Sequence, residues 1–194
     1  MKKANNLAIK NIELLKDKIS AETPLLGIEP STILSFRDEY VNFSIGSSLE
    51  NDAKKLAENS LLIDEFLDNL FEKGKIDRAI FGDEEKLIKL HGHCHQKSLA
   101  SIVPTKRMLS FPENFKVEAI PSGCCGMAGS FGFEKEHYDV SMQIGELVLF
   151  PTVRKQAEEV LIAAPGTSCR HQIKDGTGRI AKHPVEILWD AVNQ

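Results

Sequence analysis

Four cysteines are the residues of this 194-residue chain best suited to chemistry: Cys94, Cys124, Cys125 and Cys169. Two of them are adjacent, and they lie in a segment, residues 120–132, that contains four glycines. Glycine permits backbone conformations and close approaches that other residues do not. The segment therefore predicts a loop shaped around an object that sulfur binds. A tight turn with buried, inert cysteines is the simpler alternative.

Thiolates from four cysteines suit either an iron–sulfur cluster or a zinc ion. Zinc sites usually contain cysteine pairs two to four residues apart. This chain has no Cys-x-x-Cys pair, which favours the cluster. Three nearby histidines, His93, His95 and His171, are candidates either to complete a zinc site or to contact the metal ligands from outside.

Thiol catalysis is a third interpretation of the cysteines. Cys169 is predicted at a helix start, where the helix dipole lowers the pKa of a thiol. A single nucleophile, however, leaves the paired cysteines of the glycine-rich loop unexplained.

The cysteines follow segments that are predicted as strands. Short apolar segments at residues 24–28, 86–90, 116–120 and 160–164 each lead through a turn into a predicted helix. This alternation predicts an α/β fold, with a mostly parallel sheet and helices on both faces. Three of the four strand ends carry all the cysteines. Because ligands bind at the carboxyl ends of parallel strands, we expect the cysteine-bearing loops to converge there.

Apolar periodicity predicts the other elements of the chain. Residues 5–20 predict a helix, which makes residues 1–20 a helical N-terminal extension. Residues 56–73 predict one continuous helix that ends at Gly74, and residues 78–81 predict an additional strand. At this length we expect a single α/β cysteine-rich domain over 1–194, either as a whole protein or as a fragment of a larger one.

Composition argues against two classes of partner. A net charge of −4 without a cluster of basic residues argues against nucleic-acid binding. No apolar run approaches the roughly 20 residues of a membrane span, and the N terminus lacks the apolar segment of a signal peptide. In a reducing compartment four such cysteines indicate metal binding or redox activity rather than disulfides. We therefore predict a cytoplasmic location.

The Gly-Cys-Cys-Gly sequence at residues 123–126 resembles the centre of the cysteine-rich CCG domain. That domain occurs in the B subunit of heterodisulfide reductase, in the iron–sulfur subunit of glycolate oxidase and in the C subunit of anaerobic glycerol-3-phosphate dehydrogenase. The resemblance is closer to the carboxyl-terminal part of FAD-linked oxidases of the D-lactate and D-2-hydroxyglutarate dehydrogenase type. It is carried by residues 91–97, 123–133 and 166–173, with support from residues 29–39 and from His183-Pro184.

The resemblance implies an electron-carrying domain in which the four cysteines are the ligands of an iron–sulfur cluster of the 4Fe-4S type. We expect the isolated protein to lose such a cluster in air. Relatives often carry further cysteines where Thr32 and Gly166 stand here, so the implied ligand set contains four thiolates. In that family a flavin domain oxidises a 2-hydroxy acid, and iron–sulfur centres pass the electrons onward.

The chain lacks a flavin-binding signature and a ferredoxin-type run of cysteines. We therefore expect FAD only in a partner domain or subunit, and no complete enzymatic activity from this chain alone. The predicted function is electron transfer from flavin to an acceptor in an FAD-linked 2-hydroxy-acid oxidoreductase. The alternative is a structural or partner-docking domain with zinc, or with no metal, at the cysteines.

Overall fold

The computed structural model describes residues 2–43 and 45–193, and the chain divides into two compact units, Met1–Phe66 and Leu67–Gln194. The predicted α/β class is confirmed. The named strands pair in parallel within two small sheets, and helices flank them. The assignment of one domain to residues 1–194 remains a prediction.

The first unit contains a two-stranded parallel sheet. Strand β1 (Leu25–Gly27) pairs with β2 (Ser60–Leu62), so that Leu26 lies opposite Leu61. Four helices belong to this unit, and a buried apolar cluster that includes Ala8, Ile12 and Leu56 packs the first, third and fourth of them together. Those helices are α1 (Lys2–Leu15), α2 (Pro30–Ile33), α3 (Glu39–Asn42) and α4 (Glu50–Glu58).

The second unit contains a three-stranded parallel sheet with the order β4–β3–β5. Its strands are β3 (Lys86–Leu90), β4 (Phe115–Ala119) and β5 (Leu161–Ala163). Leu90, the last residue of β3, lies opposite Ala119 and Ala163, the last residues of its two neighbours. All three strands therefore end at the same edge of the sheet.

Helices cover both faces of this sheet, as the alternation of elements predicts. Helix α5 (Ile63–Glu72) begins in the first unit. It is followed by α6 (Cys94–Leu99), α7 (Val103–Leu109), α8 (Tyr138–Leu147), α9 (Leu149–Arg154), α10 (Thr167–Thr177) and α11 (Pro184–Asp190).

Two buried apolar clusters fill the space between the sheet and these helices. Ile162 belongs to one cluster, with residues of α9 and α10, whereas its neighbour Ala163 belongs to the other, with residues of α5, α7 and α11. Successive side chains of a strand point to opposite faces, so the sheet lies between the two clusters. No helix among the described residues has the length and apolar character needed to cross a membrane.

The continuous helix predicted over 56–73 is wrong. Helix α4 ends at Glu58, residues Ser60–Leu62 form β2, and α5 starts at Ile63. The leucines at 61 and 62 fit a helical pattern, but the backbone here pairs with β1, 33 or more residues earlier in the chain. Such long-range pairing overrides local propensity.

The strand predicted over 78–81 is also wrong. Arg78–Ile80 form a short 3₁₀ turn, and the Asp77 carboxylate caps it by accepting a hydrogen bond from the Ala79 amide at 3.0 Å. Only Phe81 makes a strand-like contact, as an isolated antiparallel bridge to Val192. The strand predicted over 24–28 is present as β1, but it belongs to the separate two-stranded sheet.

Candidate metal centre

Three adjacent strand ends deliver the four cysteines to one place. Cys94 is the first residue of α6, four positions after the end of β3. Cys124 and Cys125 lie in the loop that follows β4, and Cys169 lies in the first turn of α10, after β5. The predicted convergence of the cysteine-bearing loops at the carboxyl ends of the strands is thus present in the structure.

The four thiols contact one another in a row. Cys94 and Cys124 lie close enough for each to shift the pKa of the other, and the same holds for Cys124 with Cys125 and for Cys125 with Cys169. The row runs from the surface to the interior, because Cys94 is exposed and Cys124 is half-buried, whereas Cys125 and Cys169 are 3% and 2% exposed. None of the four forms a disulfide.

Along the row, the interactions between the thiols lower the pKa of two of them and raise the pKa of the other two, in alternation. Hydrogen bonds from Cys125 and Cys94, and from the amides of Gly126 and Ala128, lower the pKa of Cys124. The contact with Cys125 lowers the pKa of Cys169 to about 5, against the effect of burial and with help from the neighbouring imidazoles of His91 and His93.

The other two thiols are shifted in the opposite direction. The hydrogen bond to Cys124 and then burial raise the pKa of Cys94. Contacts with Cys124 and Cys169, together with burial, raise the pKa of Cys125. These shifts favour the thiolate form at Cys124 and Cys169 and the protonated form at Cys94 and Cys125. Partly buried negative charge of this kind is a site for a thiophilic cation.

The glycine-rich loop is held against two helices through one buried serine. Gly126 has φ +104°, and a Cβ at this position would lie 2.1 Å from the Ser141 carbonyl oxygen. The Ser141 hydroxyl donates to the Gly126 carbonyl at 2.9 Å and accepts from Gln172 Nε2 at 2.9 Å. Only glycine permits this approach, which fixes Cys125 between α8 and α10.

Helix α6 holds the other end of the same loop. Lys97 Nζ donates to the carbonyl oxygens of Ser122 at 2.7 Å and Gly123 at 2.8 Å. At Gly166, a Cβ would lie 2.4 Å from His93 Cδ2 and 3.3 Å from Cys169 Sγ. A larger residue at 166 would therefore push into the space that separates α6 from α10.

The three histidines predicted near the cysteines occupy different positions. His93 is buried, caps α6 by accepting from the His95 amide at 3.2 Å, and lies close to Cys169. His95 is half-buried, and its ring centroid is 6.5 Å from that of His93. His171 is exposed on α10.

A fourth histidine, His91, is not among the predicted site residues, yet its ring lies near two of the sulfurs. It is completely buried, and its ligand atom and those of Cys125 and Cys169 all lie within 4.8 Å of one another. The sequence does hold a signal for it, because His91 directly follows the apolar strand β3, where ligands collect in parallel sheets. This donor set fits a metal that prefers sulfur and nitrogen.

Comparisons with known proteins connect the chain to dehydrogenases. It is 28% identical, over 186 residues, to D-2-hydroxyglutarate dehydrogenase of Pantoea ananatis, with 95% of this chain and 17% of that protein covered. It is 27% identical over 186 residues to D-2-hydroxyglutarate dehydrogenase of Escherichia coli K12, with the same coverage. It is 26% identical to the C subunit of anaerobic glycerol-3-phosphate dehydrogenase of E. coli K12, over 98% of this chain and 46% of that relative.

These relatives are all longer than the chain, which spans between about a sixth and a half of their length. No family model matches the chain. No solved structure matches it either. The matches cover nearly the whole chain, so the segments that carry the cysteines lie within the aligned region in each case.

Proposed function

We propose that the chain is the iron–sulfur electron-transfer part of an FAD-linked 2-hydroxy-acid oxidoreductase and a member of the CCG-domain group. The observation that carries this proposal is the row of four neighbouring thiols at the end of one parallel sheet. Two kinds of relative support it, since their names describe dehydrogenases of a 2-hydroxy acid and of glycerol 3-phosphate.

The donor set suits an iron–sulfur centre. Thiolate sulfurs are its usual ligands, and the neighbouring residues Cys124 and Cys125 can bind different iron atoms. When bound, the cluster supplies reversible one-electron chemistry. The chain's own contribution is to hold the four sulfurs in place, through Lys97 on one side of the loop and Ser141 on the other.

The proposed partner is a flavin-containing domain or subunit of the same oxidoreductase. The chain corresponds to only 17% of the D-2-hydroxyglutarate dehydrogenase it matches, so most of such a protein would be supplied by other sequence. Oxidation of the hydroxy acid would then take place at the partner's flavin. Exposed Cys94 marks the side of the centre that is open to that partner. A cytoplasmic location is part of this proposal.

A zinc-binding structural domain is the second candidate, and one observation favours it. The ligand atoms of His91, Cys125 and Cys169 all lie within 4.8 Å of one another, as is expected of donors that share one tetrahedral ion with bonds of about 2.0–2.3 Å. In this case the metal would stabilise the fold and the domain would serve to bind a partner.

Metal analysis of protein purified and reconstituted without oxygen distinguishes the two candidates. We expect several iron and sulfide ions per chain, and broad absorption near ~400 nm that bleaches with dithionite. Cys125→Ser should remove the absorption, because this thiol lies in the middle of the row. One zinc per chain, with no iron after reconstitution, would refute the electron-transfer proposal and support the structural one.

A further inference from the structure

His91 is a buried histidine with one ring nitrogen satisfied and the other free. Its exposed fraction is 0%. Nδ1 lies 2.7 Å from the Ser122 hydroxyl. Nε2 is buried and, among the described residues, has no partner with good hydrogen-bond geometry, although the imidazole lies close enough to the Cys169 sulfur to lower its pKa. Leaving a buried polar atom without a good partner destabilises a fold, so this nitrogen needs an explanation.

Two buried sulfurs lie next to this histidine. The sulfurs of Cys125 and Cys169 and one ring nitrogen of His91 lie within 4.8 Å of one another. Since Ser122 engages Nδ1, the nitrogen that is left for the sulfurs is Nε2. The three side chains come from three separate strand ends, and all three are buried.

The backbone fixes the position of the imidazole before any metal binds. The His91 amide donates to the Ala163 carbonyl at 2.8 Å, which extends the pairing of β3 with β5 by one residue. Ser122 lies in the loop after β4 and is 8% exposed. The backbone of His91 is therefore held by β5, and its ring is held by the loop that follows β4.

We propose that His91 binds the metal of this centre through Nε2, together with Cys125 and Cys169, and that Ser122 fixes the required tautomer. The inference rests on the proposed function, since it assumes that the cysteines hold a metal. Nδ1–H donates to the Ser122 hydroxyl oxygen, which leaves the Nε2 lone pair free. Metal-bound histidines commonly use the other ring nitrogen in this way.

The proposal divides the five donors into an inner and an outer set. His91, Cys125 and Cys169 form the inner set, Cys124 is the fourth donor through its contact with Cys125, and exposed Cys94 is the outermost. If the metal is iron, and the His91 imidazole takes the place of the outermost thiolate, the exchange raises the reduction potential. We therefore expect a higher potential than four thiolates alone would give.

Cadmium-113 NMR of the full chain, with histidines labelled with ¹⁵N, tests the ligand directly. The probe is Cd²⁺ alone, added to reduced, metal-free protein. We expect a scalar coupling between ¹¹³Cd and one histidine nitrogen, a proton on the other nitrogen of the same ring, and loss of this coupling in His91→Ala. The matched control is His137→Ala, which removes an imidazole stacked on Phe131 and should leave the coupling unchanged.

Ser122→Ala tests the positioning role separately. Loss of such an outer contact to a metal-binding histidine typically weakens metal affinity by about 10–100-fold, and we expect a loss of this size for Cd²⁺, measured by competition with a chelator. Ser122→Thr keeps the hydroxyl and should retain most of the affinity. Circular dichroism of each variant establishes that the fold is present.

The outcomes distinguish the inference from the proposed function. Cadmium bound by sulfur, without any nitrogen coupling in the wild-type chain, would overturn the role of His91 and leave the cysteine centre intact. A proton on Nε2 in the cadmium-loaded protein would overturn it as well. Failure of the wild-type chain to bind cadmium, iron or zinc would overturn both the inference and the proposed function. Because the wild-type spectrum is sufficient, an unfolded His91 variant does not prevent the test.

Discussion

Cys94 and Cys124 differ in proton affinity although their thiols are in contact. The pKa of Cys124 is lowered and that of Cys94 is raised, because in this contact Cys94 acts as the hydrogen-bond donor and Cys124 as the acceptor. Reactivity follows the thiolate rather than exposure alone. In reduced, metal-free protein we expect iodoacetamide to modify half-buried Cys124 before exposed Cys94.

The pH dependence of this labelling has a defined sign. A lowered pKa keeps more of Cys124 as thiolate when the pH falls, so its labelling rate should fall less between pH 8 and pH 6 than the rate at Cys94. The rate at Cys94 should fall with pH, because its raised pKa leaves ever less thiolate. Mass spectrometry of tryptic peptides measures both rates. Faster modification of Cys94 at pH 6 would contradict the assigned direction, and bound metal should protect Cys124.

Gly126 provides a second test at the scale of one residue. In Gly126→Ala, the new Cβ would meet the Ser141 carbonyl oxygen at 2.1 Å in a backbone conformation with φ +104°. Strain at such a residue costs about 1–3 kcal/mol, and relief of the clash should move the loop that carries Cys125. We expect a lower unfolding temperature and loss of most metal uptake.

Gly129→Ala is the matched control for this loop. Gly129 also has positive φ, at +69°, but a Cβ there would have no atom within 4 Å. The control therefore carries backbone strain without the clash, and we expect metal uptake close to that of the wild-type chain. Equal loss of uptake in the two variants would show that contact with Ser141 is not what shapes the site.

Residue types in the sequence were sufficient to find the sulfurs but not the imidazole. Cysteine is rare in this chain, so four cysteines at strand ends are conspicuous, and their convergence is a consequence of parallel pairing. Four histidines also lie near these ends, and the prediction selected His93 and His95 because they are the immediate neighbours of Cys94. What distinguishes His91 from them is its complete burial together with the proximity of its ring to both Cys125 and Cys169, which depends on the fold.

At the scale of elements, β5 is held at its N-terminal end by one arginine. Arg179 follows α10 and donates to the carbonyl oxygens of the segment before β5: Gln156 at 3.0 Å, Ala157 at 3.2 Å, Glu158 at 3.3 Å and Val160 at 2.7 Å. A guanidinium can serve several acceptors at once because its donors are fixed in a planar fork. The segment that leads to Cys169 is thereby tied to the end of the helix that carries Cys169.

Arg179→Lys should therefore be nearly as harmful as Arg179→Met. Lysine keeps the charge but loses the fork, and we expect a loss of about 1–2 kcal/mol, which lowers the unfolding temperature by about 2–8 °C. Metal release to a chelator should also be faster in both variants. A lysine variant as stable as the wild-type chain would show that charge, rather than the geometry of the guanidinium, stabilises this segment.

The strands of the second unit were predicted more accurately than the elements around residue 60. The strands at 86–90, 116–120 and 160–164 are apolar segments bounded by turn residues, and each lies within one residue of the observed strand at its start and within one at its end. Ser60–Leu62 form a strand only because β1 lies beside them. Local sequence carries no record of that partner, so helical periodicity was the stronger signal.

At the scale of the whole molecule, everything that the proposed centre needs lies in one unit. The four cysteines, His91, the three-stranded sheet and both clusters that enclose it belong to residues 67–194. The first unit has its own sheet and its own apolar cluster. This distribution predicts that the second unit binds metal without the first. The prediction of a single domain over 1–194 does not decide this question.

A segment of residues 63–194, which keeps α5 whole, should therefore fold and bind as much metal per chain as the full protein. Compact units with their own core commonly fold alone. Cooperative thermal unfolding and metal stoichiometry measure the two properties, and Cys169→Ser in the same segment controls for adventitious binding. Uptake by the full chain but not by the folded segment would show that the first unit contributes to the centre. In that case the cysteine row alone would no longer be a sufficient description of the site.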